Sequence, residues 1–102
     1  MPSIEALEKL LQADPKDAFI LYGLAHEHAK LGKHPTAIEF YDRCIGEDPA
    51  YCYAYYHKAR SLQAMERIDD AVKTVNEGIK QARGSNDGHA VSELQALLME
   101  LT

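Results

Sequence analysis

Apolar residues recur along this chain at spacings of three and four, and proline or glycine breaks punctuate them at a fixed interval. Ile4, Leu7, Leu10 and Leu11 share one face of a predicted helix, with Glu5, Glu8 and Lys9 opposite. Ser3 stands where an N-cap oxygen receives the first free backbone amides. Asp14-Pro15 stops that helix, because the residue before a proline is pushed out of the helical region. A second helix follows Asp17, a predicted cap, with the stripe Ala18, Leu21, Ala25 and His28 and with Leu24 and Leu31 beside it. Gly32 supplies the left-handed turn that closes it. Pro35 restarts the chain at a first helical position, where no amide is lost, and Ala37, Ile38, Tyr41, Cys44 and Ile45 form the next face before Asp48-Pro49.

From position 50 the pattern returns. Cys52, Tyr55, Ala59 and Leu62 make a stripe over 50–65, and the chain turns at 66–69. Asp69 and Asp70 place negative charge at the positive end of the next helix, whose face is Ala71, Val72, Val75, Gly78, Ile79 and Ala82. Residues 84–88 predict a looser break. A last helix over about 89–101 sets Val91, Leu94, Leu97, Leu98 and Leu101 against Ser92, Glu93, Gln95 and Glu100, a pattern that suits a terminal cap with one wet side.

Two Asp-Pro pairs fix the interval, since Pro15 and Pro49 lie 34 residues apart. The same shift lays Ile4-Glu5 over Ile38-Glu39, Tyr22 over Tyr56, Ala25 over Ala59, Ala37 over Ala71 and Ile45 over Ile79. A fixed period with matched apolar and charged positions marks a repeat architecture. With Leu21, Leu24, Ala25, His28, Ala37, Tyr41 and Pro49, then Tyr55, Lys58, Ala59, Leu62, Ala71, Val75 and Arg83, the chain resembles the tetratricopeptide repeat family over nearly its whole length. His28 departs from the family's Tyr, Lys58 from its Leu and Arg83 from its Pro. Lys58 predicts thin packing at its site, and Arg83 predicts that the regular array ends there. The resemblance implies one all-α domain over 1–102, a right-handed α–α superhelix of helix-turn-helix repeats. Its parts would be an N-terminal half-repeat helix at 3–15, repeats at 16–49 and 50–83, and a C-terminal capping helix at 86–101.

Composition narrows the function. Eleven basic residues against 16 acidic ones give a formal net charge of −5, with no basic run, which argues against nucleic acid as a partner. No apolar run reaches the ~18 residues of a membrane span, and the N-terminus lacks a charged-then-apolar signal, so a soluble cytoplasmic protein is expected. Cys44 and Cys52 fit neither a disulfide framework nor a zinc pattern and are expected to be buried free thiols. No phosphate loop, nucleophile elbow or nucleophile–base pair appears, so no enzyme activity is expected. The five histidines lack ligand spacing: His26 and His28, two apart, face nearly opposite sides of a helix. No metal and no cofactor are expected.

What remains is a binding surface. The resemblance implies that the first helix of each pair lines a concave groove, reached by Phe19, Tyr22 and His26 in the first pair and by Tyr53, Tyr56 and Arg60 in the second. Both triplets follow i, i+3, i+7 on a face distinct from the Ala/Leu stripe, with His57, Lys30 and Gln63 at the margins. Aromatic and Arg side chains are the usual anchors of protein interfaces, and Arg60 would suit a carboxylate on a peptide. The competing reading is that these rings fill the crease between helices. His26 and His57 are expected to titrate near neutrality and make binding pH-sensitive. Relatives that clamp an acidic C-terminus do so through Lys, Asn and Arg; the corresponding positions here hold Tyr22, His26, His57, Asp87 and Val91, which argues against that ligand. The expected function is a protein-interaction adaptor for a peptide or partner helix. The alternative is a structural self-association unit, a homodimer or larger homo-oligomer paired symmetrically or head-to-tail through its terminal helices, with Ile4, Leu7 and Leu10 exposed at one edge and Leu97, Leu98 and Leu101 at the other.

Overall fold

The structure, a computed structural model, describes residues 2–102, with Met1 outside the described residues. Six helices follow in order: α1 (Ile4–Ala13), α2 (Ala18–Lys30), α3 (His34–Glu47), α4 (Cys52–Ala64), α5 (Ile68–Gly84) and α6 (Gly88–Leu101). None is long and apolar enough to cross a membrane among the described residues.

The local signals act as expected at most ends. Ser3 Oγ accepts from the Ala6 amide at 3.2 Å and Asp17 Oδ1 from Ile20 at 3.1 Å, each satisfying a free helical donor. Gly32 adopts φ +77°, which lets the Lys33 amide reach back to the His28 carbonyl at 3.0 Å. Glu66 and Asn86 make the same turn at φ +60° and +57°, a region that costs a residue with a Cβ. The connection after α5 is tighter than the expected loose break. Without a proline at 83, α5 runs on through Gly84; Asn86 then turns the chain, and Asp87 caps α6 by accepting from Ala90 at 3.0 Å.

Each helix packs on its neighbours in sequence, and the backbones of α2 and α4 and of α4 and α6 also approach closely, as those of α1 and α3 and of α3 and α5 do not. The even-numbered helices are therefore the closer-set layer, which curves the stack and leaves its concave side to α2, α4 and α6. The core has two parts. Leu21, Ala25, Ala37, Tyr41, Cys44 and Ala54 form one; Cys52, Tyr55, Ala59, Leu62, Val75, Ile79, Leu94 and Leu97 are among the residues of the other, and Ile45 touches both.

One expectation changes here. Leu7 and Leu97 are buried and not edge residues, while Leu98 and Leu101 pack partly against the second cluster. Each lies on the side of its helix that faces an existing neighbour, so the exposed apolar surface at the two ends reduces chiefly to Leu10 (49% exposed), Leu31 (62%) beside the start of α1, and Met99 (80%). Lys58 stands where thin packing was expected: it lines an open cavity with Ile38, Leu62 and Thr74, and an ion pair to Asp42 of α3 at 2.7 Å crosses it.

Candidate binding groove

The contact between α2 and α4 brings together aromatic rings that lie about one repeat apart in sequence. Tyr22 is the hub. Its ring stacks on His26 (centroids 6.0 Å, planes 13° apart), lies 5.1 Å from Tyr51 and 6.1 Å from Tyr41, and meets His57 edge-on at 5.9 Å. His57 in turn touches His26 at 5.2 Å and Tyr56 at 5.1 Å, both in T-shaped geometry. Arg60 lies over the Tyr56 ring at 5.5 Å and donates from Nη2 to the Tyr56 hydroxyl at 3.2 Å. Edge-to-face and offset rings at these separations attract through their quadrupoles and hold one another in place.

Of the seven residues expected at this surface, Tyr22, His26, Tyr56, His57 and Arg60 form one connected network. Phe19 and Tyr53 take no part in these ring contacts and stay open to solvent, at 61% and 42% exposure. They occupy matching positions one period apart. Lys30, at the margin, turns back to Glu27 at 3.1 Å.

Burial sets the electrostatics. The His57 pKa falls to about 4, first through loss of solvent and then through the nearby His26 and Arg60. His57 is thus a neutral ring around pH 7, contrary to the expected titration near neutrality. Burial raises the phenols of Tyr22 and Tyr51, the latter to about 12. Cys44 and Cys52 are buried and free as expected, and burial pushes the Cys44 thiol up to about 12, so it carries no reactive thiolate. The Tyr41 hydroxyl and the His26 and His28 Nδ1 atoms are buried without a hydrogen-bond partner. Apart from this network, His28 stacks flat on Phe40 of α3 at 5.6 Å, a ring-on-ring contact at the position where the family has Tyr.

Sequence reasoning missed two participants. Tyr51 precedes α4 and so falls outside any helical stripe. Glu100 sits on the wet side of α6, yet its carboxylate takes both terminal nitrogens of Arg60, at 2.7 and 3.3 Å. The Arg60 hydrogen bond and charge hold the Glu100 carboxyl below its ordinary pKa.

Comparison with known proteins agrees with this architecture. The family model described as anaphase-promoting complex, cyclosome, subunit 3 matches residues 3–78. A TPR repeat-containing protein of Pseudomonas aeruginosa is 28% identical over 98 residues, covering 96% of this chain and 93% of its own length. The solution structure of a tetratricopeptide repeat domain protein from Salinibacter ruber has a TM-score of 0.80 at 34% identity, over 86% of this chain and 89% of that one. The TPR2B domain of yeast Sti1, solved as a complex with pHsp70, has a TM-score of 0.90 at 26% identity, over 96% of this chain and 78% of that one. Two longer plant relatives are matched over only 9% and 13% of their lengths. The chain belongs to the tetratricopeptide repeat family.

Proposed function

We propose that this protein is a protein-interaction module that receives a peptide segment of a partner along the concave faces of α2 and α4. The observation that carries the reading is aromatic surface left uncovered there: Phe19 and Tyr53, one period apart, beside a fixed network of Tyr22, His26, Tyr56 and His57. Large exposed rings suit an interface because their burial is favourable, and the ordered network beside them offers a partner a surface with little side-chain freedom of its own to lose. The yeast Sti1 domain, solved with an Hsp70 partner, supports interaction as the mode of action. Its ligand does not carry over directly, since Tyr22, His26, His57, Asp87 and Val91 offer no lysine or arginine at the positions used to clamp an acidic C-terminus.

Selection of peptides by display against the full chain, followed by calorimetry, tests the groove. Tyr22→Ala and Tyr56→Ala are each expected to weaken the selected peptides at least tenfold, the loss typical of an interface anchor. Peptides that bind the variants as well as the parent protein would place the working surface elsewhere. Self-association through the terminal helices, the alternative function, retains Leu10 and Met99 as apolar contacts. Sedimentation equilibrium separates the two, with a monomer expected across the accessible concentration range.

A further inference from the structure

The guanidinium of Arg60 is oriented from its own helix. Tyr56 accepts from Nη2 and lies beneath the group, and Gln63 Oε1 accepts from Nη1 at 3.0 Å. Both partners lie within about one turn on α4, so two of the contacts that direct the fork are independent of α6. What it points at is Glu100, 40 positions on in the chain and held through both nitrogens. Glu100 is about half exposed, and Arg60 is its one polar partner among the described residues. The pair therefore shows a carboxylate already seated at the end of the aromatic strip, in the two-point geometry that selects planar oxyanions. The surroundings limit how much acid the seat tolerates. No lysine or second arginine stands among the groove residues, and Glu93 lies near His57 and pairs with His89 at 2.9 Å.

We propose that Arg60 is the groove's seat for one acidic side chain of a bound peptide and that Glu100 is its internal occupant, displaced when the peptide docks. This rests on the groove reading above and adds the ligand's chemistry and its regulation. An exposed ion pair has little net worth, so exchanging one carboxylate for another is close to neutral. The aromatic contacts then decide whether exchange occurs, and a tract of several acids is disfavoured by Glu93. Glu100 acts as a built-in competitor that raises the threshold for acidic ligands lacking an aromatic anchor.

The test follows the Arg60 Nε–Hε resonance of the full chain by NMR while sodium acetate, the probe, is added against sodium chloride at equal ionic strength. Glu100→Gln is expected to reach half-saturation at about two- to fivefold less acetate than the parent protein, the scale of one exposed ion pair. Chloride should move neither. Equal half-saturation in the two proteins, or no acetate shift in Glu100→Gln, overturns the proposal. Glu100→Ser repeats the comparison should glutamine disturb the last turn of α6. Failure of the groove reading looks different: Arg60 would still respond to acetate, while peptides would be indifferent to Tyr22 and Tyr56.

Discussion

The first helix pair, α2 with α3, and the second, α4 with α5, follow the same 34-residue register yet fill it with opposite choices. Where α2 carries Leu21, α3 answers with Tyr41 and Cys44, and all three share one core cluster. Where α4 carries Tyr55 in the matching place, α5 answers with Val75 and Gly78. The large ring has moved from the second helix of the pair to the first, and its opposite positions have shrunk to fit. A Cβ at Gly78 would stand 2.7 Å from Tyr55 Cβ, so the glycine is what lets α5 approach α4. The pairs also differ at their turns, with Gly32 and Glu66 in the same left-handed position. A repeat thus conserves the volume of a pair rather than the size of any one residue, as close-packed interiors require.

The largest effect comes from emptying the ring's place. Tyr41→Ala is expected to cost about 3–5 kcal/mol of stability, and Val75→Ala about half as much, read from urea unfolding. Equal costs would show that the exchange of sizes does not govern packing. Gly78→Ala should destabilise by about 1–3 kcal/mol because the Tyr55 Cβ cannot turn aside, whereas Cys44→Ala, in the same register, should cost no more than about 1 kcal/mol. Both are measured by the same melts.

The pairs differ again at Gly23 and His57, which match in register. His57 holds its proton less tightly when folded than the ordinary histidine value, at about 4. Between about pH 6.5 and that value the unfolded chain binds the proton and the folded one does not. Its contribution is therefore fully present above about pH 6.5 and is lost as pH falls toward about 4. Thermal melts from roughly pH 7 to pH 5 should fall for the parent protein and stay flatter for His57→Phe. Matching slopes would mean that His57 is not buried in solution. The smallest effect is at the turns: Glu66→Gly should gain about 0.5–1 kcal/mol and Gly32→Ala should lose about 1 kcal/mol, by relieving or creating left-handed strain.

Much of the molecule is legible in the residues alone. The helical spacing, the Ser3 and Asp17 caps, the Gly32 turn and the two Asp-Pro stops act within a few residues of chain, so the sequence states them directly. Of the five expected groove residues that meet in one network, Tyr22 and Tyr56, and His26 and Arg60, are paired by the 34-residue period, while His57 has only Gly23 in its register and joins through contact between α2 and α4. Tyr51 and Glu100 were hidden for the opposite reason. Tyr51 approaches Tyr22 from outside any helical stripe, and Glu100 meets Arg60 only because α6 folds back across α4.

By itself, then, the sequence determined the helices, their boundaries to within a residue or two, and the face of α2 and α4 that bears the aromatic strip. All of these depend on the helical repeat and on local hydrogen bonding. Tertiary structure alone decided which rings touch, that His57 loses its proton, that Leu7 and Leu97 are covered, and that Arg60 already holds a carboxylate. Those properties arise where helices distant in sequence exclude water from one another, and no spacing along a single helix encodes that contact.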